Sequence, residues 1–269
     1  MGETVGAWID LVHALYPPSD AADWDHPGLQ VGDPAQPVSR VLITLDVTSA
    51  VLAEAEQQAD TLVLAHHPLL LHPLRAVTPA TVAGALALRA AQTRTAVAAA
   101  HTNLDAADDG AGTSDPVVVR LGLTDVVPLC SPVSAGARAM GRVGNLPAPT
   151  SLRELARRIA VELPAPATRW CGDGNRQVHR VAVLGGAGMS AVPEALAARA
   201  DVLVTGDVRH HAALDAREAG LAVIDAGHHA TEVAAMPVFL ERVAAAAVAR
   251  GFSAPVVLSE SDTSPWEPV

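Results

Sequence analysis

The sequence predicts an α/β protein built from two similar lobes that are related by a pseudo-twofold axis. Short β-branched runs alternate with alanine-rich stretches of helical periodicity, which is the pattern of β-α-β units around a mainly parallel or mixed sheet. A second observation is an internal repeat, because the segment that begins at Val38 can be aligned with the segment that begins at Val178. Each segment reads as strand, turn, helix ending in Ala-Asp, strand and paired histidines. Equivalent strand ends are therefore expected to converge on one cleft between the lobes.

The first lobe shows the alternation most clearly. Its expected elements are strands at residues 40–46, 61–65 and 95–100 and helices at residues 49–59 and 81–92. A helix is also predicted for residues 151–163, with Ser151 as N-cap and Glu154 completing a capping box.

A segment rich in Pro, Gly and Ser, residues 128–150, is expected to divide the lobes. This places the first lobe at residues 1–130 and the second at 131–269, with a C-terminal helix that can pack back on the first lobe. The two lobes would form one compact unit.

Composition limits the classes of function. The net charge of -11 and the pI near 5.3 oppose sequence-independent binding to nucleic acid, which requires clustered cationic side chains. The sequence has neither a secretory signal pattern nor an apolar run long enough to span a membrane, so we expect a cytoplasmic protein. Cys130 and Cys171 lack metal-type spacing, and we assign both to packing.

Histidines cluster where strands are expected to end. Eight of the eleven fall in four places: His66, His67 and His72; His101; His210 and His211; His228 and His229. In each half an apolar strand ends in His-x-x-x-carboxylate, namely His101 to Asp105 and His228 to Glu232. A single histidine at a strand end is usually structural, but this joint pattern indicates a metal site.

Imidazole and carboxylate together suit zinc, iron, manganese or nickel. His66, His67 and His228 offer three nitrogens, and Asp105 and Glu232 each have two oxygens that can bridge two ions roughly 3.5 to 4 Å apart. Two dications with two carboxylates retain positive charge, which favours deprotonation of a bridging water near neutral pH. The expected chemistry is hydrolysis by a metal-bridging hydroxide.

Several blocks of the sequence are specific enough to carry a resemblance. "WDHPGLQVGD", "AHHPLLLHPL", "HTNLDAADDG", "TGDVRHHAALDA" and "DAGHHATE" resemble the signature blocks of the NIF-three-like dinuclear metal family, whose bacterial members are often labelled GTP cyclohydrolase I type 2-like. The resemblance runs from about residue 3 to 260. It implies a two-lobed α/β fold with a dinuclear site between the lobes, usually in a ring-shaped hexamer assembled from dimers. The connection between the halves is too short for the ferredoxin-like domain of longer relatives, which indicates the compact form.

The resemblance also implies a set of metal ligands. The positions that match the family's motifs are His66, His67, Asp105, His228 and Glu232. His229 stands where the family usually has an aromatic residue, and it is either an additional donor or a substitution on the opposite face.

Other polar residues keep two interpretations. His101 is a further ligand, a proton handler or a structural hydrogen-bonding group. The "LGGAGMSAVPEAL" turn favours tight backbone geometry over phosphate binding. One polar group either lines the cleft or forms a solvated helix start: Asp207, Arg209, His210 and His211.

Two functions from different classes follow from these residues. The first is a metal-dependent hydrolase that acts on a nucleotide-like or small phosphorylated or cyclic-amide substrate. No residue in the sequence indicates selective binding of guanine. The alternative is a non-catalytic metal-binding, metal-delivery or regulatory scaffold. A role as a transcriptional partner is disfavoured because the acidic charge opposes direct contact with DNA.

Overall fold

The computed structural model of the chain describes residues 3–165 and 167–267. The strands in this described part are β1 (Gly28–Val31), β2 (Arg40–Thr44), β3 (Thr61–Ala65), β4 (Ala96–Ala99), β5 (Thr124–Pro128), β6 (Arg142–Ser151), β7 (Arg169–Cys171), β8 (Gln177–Val183), β9 (Val202–Thr205), β10 (Ala222–Asp225) and β11 (Val256–Leu258). The α-helices are α1 (Val5–Leu15), α2 (Ser49–Ala55), α3 (Val82–Gln92), α4 (Thr102–Asp105), α5 (Asp115–Leu121), α6 (Leu152–Glu162), α7 (Val192–Ala197), α8 (His210–Glu218), α9 (His228–Glu232) and α10 (Met236–Ala249). The prediction of a mixed α/β fold is confirmed.

The chain separates into two compact units whose boundary differs from the expected one. The first unit contains the chain up to Leu104 together with Met236–Thr263, and the second contains Asp105–Ala235 with the residues from Ser264. The segment 105–130, placed in the first lobe on sequence grounds, belongs to the second unit because β5 pairs with β6. Residues 142–150 of the Pro- and Gly-rich segment belong to β6, and Pro147 and Pro149 fall where the register with β8 is interrupted.

A five-stranded sheet organises the first unit, in the order β1-β4-β3-β2-β11. The strands β2, β3, β4 and β11 are parallel, and β1 pairs with β4 in the antiparallel direction. Every residue of β3 is buried, which is typical of a parallel strand covered on both faces. Leu42, Val63 and Val97 pack with α2 and α3, while α10 packs on α1, β2 and β11.

The second unit contains a six-stranded sheet in the order β5-β6-β8-β9-β10-β7. Its strands β8, β9 and β10 are parallel, and β7 pairs with β10 in the antiparallel direction. Val181 and Val183 face a core that includes α5 and α6, whereas Ala182 faces a core that includes α7. Each unit thus contains three consecutive parallel strands with an antiparallel strand beside the last of them.

Side-chain caps set the starts of several helices. Thr4, Thr48 and Thr81 accept hydrogen bonds from the first turns of α1, α2 and α3. Ser151 caps α6 by accepting from the Glu154 amide at 3.2 Å, as the capping box predicts. The helix α2 ends four residues before its predicted end, and the chain then turns through Asp60 with a positive φ of 55°.

Among the helices of the described residues, none combines the length and the apolar character that crossing a bilayer requires.

Candidate metal centre

The carboxyl ends of the parallel strands carry the polar residues in both units. In the first unit, Asp46 follows β2, the pair His66 and His67 follows β3, and His101 follows β4. Because parallel strands end at the same edge of a sheet, these side chains lie close together. One ring nitrogen from each of His66, His67 and His101 lies within 4.8 Å of those of the other two.

His66 and His67 are each held by a hydrogen bond from Nδ1. The fully buried His66 lies with Nδ1 3.0 Å from the carbonyl oxygen of Ala100. His67 lies with Nδ1 2.7 Å from Oδ1 of Asp46, whose other oxygen accepts from the Thr263 hydroxyl at 2.9 Å. A carbonyl oxygen can only accept, so Nδ1 of His66 carries a proton, and Nε2 is the ring nitrogen on the side away from Ala100.

His101 is held in the same way by a buried carboxylate. Its Nδ1 lies 3.1 Å from Oδ1 of Asp25, and the other oxygen of Asp25 accepts from the Thr102 amide at 3.0 Å and hydroxyl at 2.6 Å. Burial alone would raise the pKa of Asp25, but the hydrogen bonds from His101 and Thr102 outweigh it and lower the pKa to about 2. The ionised carboxylate therefore orients His101 with Nε2 on the opposite side of the ring.

Asp105, His228 and Glu232 come together in the second unit. His228 and Glu232 are four residues apart on α9, so they share one face of the helix, with Nε2 of His228 3.1 Å from Oε2 of Glu232. A carboxylate oxygen of Asp105 lies within 4.8 Å of one from Glu232. The hydroxyl of Thr113 donates a short hydrogen bond to Oδ1 of Asp105.

Like the first three histidines, His228 has an oxygen at Nδ1, and Asp207 supplies it. Its Oδ2 lies 2.7 Å from Nδ1 of His228. Asp207 has a positive φ of 52°, a conformation that is uncommon for residues other than glycine and that is retained where surrounding structure enforces it. The sequence places Asp207 near the site, but it does not reveal this contact.

Two glycines allow the backbone to approach the ligand pair closely. A Cβ at Gly186, where φ is 64°, would collide with Oε1 of Glu232 and lie 3.2 Å from Nε2 of His228. A Cβ at Gly206 would collide with the backbone amide of His228. The glycine turn after β8 is therefore explained by tight packing against the ligands.

Four histidines are oriented in the way that metal-binding histidines are: His66, His67, His101 and His228. Histidines that bind metals almost always donate the other ring nitrogen to a carboxylate or a backbone carbonyl, which sets the tautomer and the ring orientation. Each of these four histidines has such an oxygen at Nδ1, from Ala100, Asp46, Asp25 or Asp207. The first unit offers imidazole nitrogens, and the second offers the imidazole of His228 with the carboxylates of Asp105 and Glu232; nitrogen and oxygen donors of these kinds suit borderline divalent ions.

His210, which the repeat relates to the first pair of histidines, has another location. It begins α8 rather than following a strand, and it lines a cavity of about 240 Å³ with Arg169, Trp170 and Arg217. Asp207, two residues after β9, occupies the strand end instead.

Comparison with known proteins agrees with this fold. A model of the family described as Duf34/NIF3 (NGG1p interacting factor 3) matches residues 4–265. The chain belongs to the Duf34/NIF3 family. The resemblance identified from the sequence blocks is thus confirmed.

This NIF3 protein is similar to several curated relatives over nearly its whole length. It is 37% identical to the GTP cyclohydrolase 1 type 2 homolog of Streptomyces coelicolor, covering 96% of this chain and 92% of that protein. It is 31% identical to the protein of the same name from Clostridium acetobutylicum, covering 96% of both.

Solved structures show the same fold. The Bacillus cereus protein related to NIF3 matches this NIF3 protein with a TM-score of 0.90 at 24% identity, covering 99% of each chain. Reduced HcgD from Methanocaldococcus jannaschii matches with a TM-score of 0.78 at 26% identity, covering 97% of this chain and 99% of that one.

Proposed function

We propose that this NIF3 protein is a dinuclear metal-dependent hydrolase. The observation that carries the proposal is the shared orientation of His66, His67, His101 and His228, each with an oxygen at Nδ1 and with Nε2 directed away from it. Isolated surface histidines have no need of such partners, whereas metal ligands do.

In this proposal the metal ligands come from two groups of residues. The first group consists of His66 and His67. The second group consists of His228 and the carboxylates Asp105 and Glu232. Neither group alone completes the coordination of two ions. When bound, two divalent ions would act as Lewis acids and lower the pKa of water between them.

His101 is assigned a different task from the five ligands. Its Nδ1 proton is directed at the ionised Asp25, so Nε2 can accept a proton and pass it on. The ring is 5.3 Å from that of His66 and 5.8 Å from that of His67, centroid to centroid, which keeps it beside the ligands. His101 would therefore move a proton during hydrolysis.

The substrate class is a nucleotide-like or small phosphorylated or cyclic-amide compound. The name of the relatives, GTP cyclohydrolase 1 type 2 homolog, points toward opening of a heterocyclic ring. The donor set supports hydrolytic chemistry more directly than it supports the choice of any particular nucleobase in the substrate.

The test measures metal and turnover together. Elemental analysis of protein purified without added metal should find near two ions per chain, and a panel of phosphoesters, nucleotides and cyclic amides should reveal turnover. Asp105→Ala and Glu232→Ala should abolish that turnover, whereas Asp108→Ala, an exposed residue of the same loop, should not. Metal without turnover on the whole panel would favour a metal-delivery or regulatory scaffold, and absence of bound metal would refute both.

We also propose that the chain assembles with itself into a hexamer, as the resemblance implies. Light scattering on the purified protein should give a mass six times the 27.6 kDa of the chain. A monomeric mass at micromolar concentration would contradict this assembly.

A further inference from the structure

Arg142 and Asp115 form a buried ion pair in the second unit. Nε of Arg142 lies 2.8 Å from Oδ1 of Asp115, and Nη2 donates to Oδ2 at 3.0 Å, so the contact is bidentate. Each residue is only 6% exposed. A buried pair of this kind often contributes little net stability relative to apolar residues, so its presence calls for a structural reason.

The remaining donors of Arg142 hold nearby backbone. Nη1 donates to the carbonyl oxygens of Gly141 at 2.8 Å and Ala139 at 3.2 Å. Nη2 also donates a short hydrogen bond to the carbonyl oxygen of Ala107. Ala107 lies two residues after Asp105, so Arg142 binds directly to the loop that follows this candidate ligand.

Asp115 closes the other end of the same loop. Its Oδ2 accepts from the amide of Gly112 at 2.8 Å, and its own amide donates to the Gly112 carbonyl at 3.1 Å. At Gly112 a Cβ would lie 2.9 Å from the carbonyl oxygen of Asp105, so these two segments of the loop touch. The next residue, Thr113, donates its hydroxyl to the carboxylate of Asp105.

The loop also reaches the second carboxylate ligand. The hydroxyl of Ser114, the residue before Asp115, accepts from the amide of Gly185 at 3.3 Å. Gly185 packs against Glu232, because a Cβ there would lie 3.2 Å from Cγ of Glu232. Gly186 in turn donates its amide to the hydroxyl of Thr231, the neighbour of Glu232, at 3.0 Å.

We propose that Arg142, through Asp115, is a positioning residue that sets the locations of both carboxylate ligands, Asp105 and Glu232. This inference rests on the proposed metal centre. One arm runs from the ion pair through Ala107, Gly112 and Thr113 to Asp105. The other runs through Ser114 and Gly185 to Glu232. Ligand orientation gives the buried ion pair a structural reason, because the rigid guanidinium fork of Arg142 holds the loop at several points at once.

The experiment compares metal binding in variants that lose similar stability. Asp115→Asn keeps the shape of the side chain and removes its charge, and Arg142→Lys keeps the charge and removes the fork. Leu155→Ala, on the buried face of α6, is the matched control because it destabilises the second unit through a cavity alone. Zn²⁺ affinity is measured by chelator competition on folded protein, and the visible absorption of the Co²⁺-loaded protein reports ligand geometry.

Asp115→Asn and Arg142→Lys should bind Zn²⁺ about 10- to 100-fold more weakly than the unmodified protein and should show an altered Co²⁺ spectrum. Leu155→Ala should lower the melting temperature but keep the affinity and the spectrum. Thr113→Val, which leaves the ion pair intact, should reproduce part of the loss of Zn²⁺ affinity. It replaces the charge variants as the test if they do not fold. Unchanged affinity in the folded charge variants and in Thr113→Val, or an equal loss in Leu155→Ala, would overturn the positioning role and leave the metal centre standing. Failure of the unmodified protein to bind either ion would overturn the metal centre itself.

Discussion

Nδ1 of His228 lies 2.7 Å from Oδ2 of Asp207, and the opposite ring nitrogen faces Glu232 at 3.1 Å. This contact sets the tautomer in which Nε2 can bind a metal. Asp207→Gly removes the carboxylate and tolerates the positive φ of 52° at this position. We expect metal affinity to fall about 10- to 100-fold, as is typical when the partner of a ligating histidine is lost.

Asp125→Gly is the matched control for that change. Asp125 also has a positive φ, 51°, but its carboxylate accepts from the side chain of Asn145 instead of a histidine. Isothermal titration with Zn²⁺ should give the control the affinity of the unmodified protein. Equal affinities in all three proteins would show that the contact of Asp207 with His228 has no role in binding.

Gly186 makes room for both members of the α9 ligand pair. Gly186→Ala would force its Cβ into Oε1 of Glu232, so we expect loss of bound metal and a lower melting temperature. Gly220→Ala introduces the same methyl group at a comparable positive φ, 87°, with no described atom within 4 Å. Backbone strain is common to both variants, so metal content by elemental analysis that falls only in Gly186→Ala would identify the collision as the cause.

Much of the fold is readable from local patterns. The strands at β2, β3 and β4 and the cap at Ser151 follow from β-branched runs and capping chemistry, and all are found. The structure divides near residue 105 rather than at 130, and prolines and glycines of the segment expected to divide the lobes lie within the bulged strand β6. Strand partners such as β5 and β6 depend on tertiary pairing, which composition does not encode.

The candidate ligands could be predicted because His-x-x-x-carboxylate motifs are local in sequence. The partners that orient them could not, since Asp25 and His101 are 76 residues apart and Asp46 and His67 are 21 apart. The role of Arg142 could not be predicted either, because an arginine between glycines in sequence resembles a solvated residue. Only the folded backbone brings these charges to the ligands.

Glu3 links the start of the described chain to the segment after α10. Its Oε1 accepts from the amide of Ser253 at 2.6 Å and the hydroxyl at 2.7 Å, and its Oε2 accepts from the amide of Ala254 at 2.9 Å. Burial raises the pKa of Glu3, but the hydrogen bonds from Ser253 and Ala254 together outweigh it and lower the pKa below the ordinary value of a glutamate. The unfolded chain therefore binds this proton more tightly, so the contribution to stability is present above pH 4.5 and lost as the pH falls through the folded pKa.

Glu3→Gln should lower the melting temperature at pH 7 by about 1 to 3 °C, because solvent limits an exposed contact to below about 1 kcal/mol. The difference from the unmodified protein should shrink as the pH falls through the lowered pKa of Glu3, because below it both forms carry a neutral side chain. Glu162→Gln, an exposed change at the end of α6, should leave the melting temperature unaltered throughout. A deficit of Glu3→Gln that persists at low pH would mean that shape, not charge, stabilises this link.

His101→Asn separates proton handling from metal binding. The amide nitrogen of asparagine can replace Nδ1 as donor to Asp25, while nothing replaces Nε2. We expect the variant to keep two ions per chain by elemental analysis and to lose about 10²- to 10⁴-fold in turnover, the usual contribution of a positioned acid or base. His72→Asn, an exposed histidine in the loop after β3, should change neither quantity. If His101→Asn loses metal together with turnover, His101 is a sixth ligand, and the proton must be handled by another group.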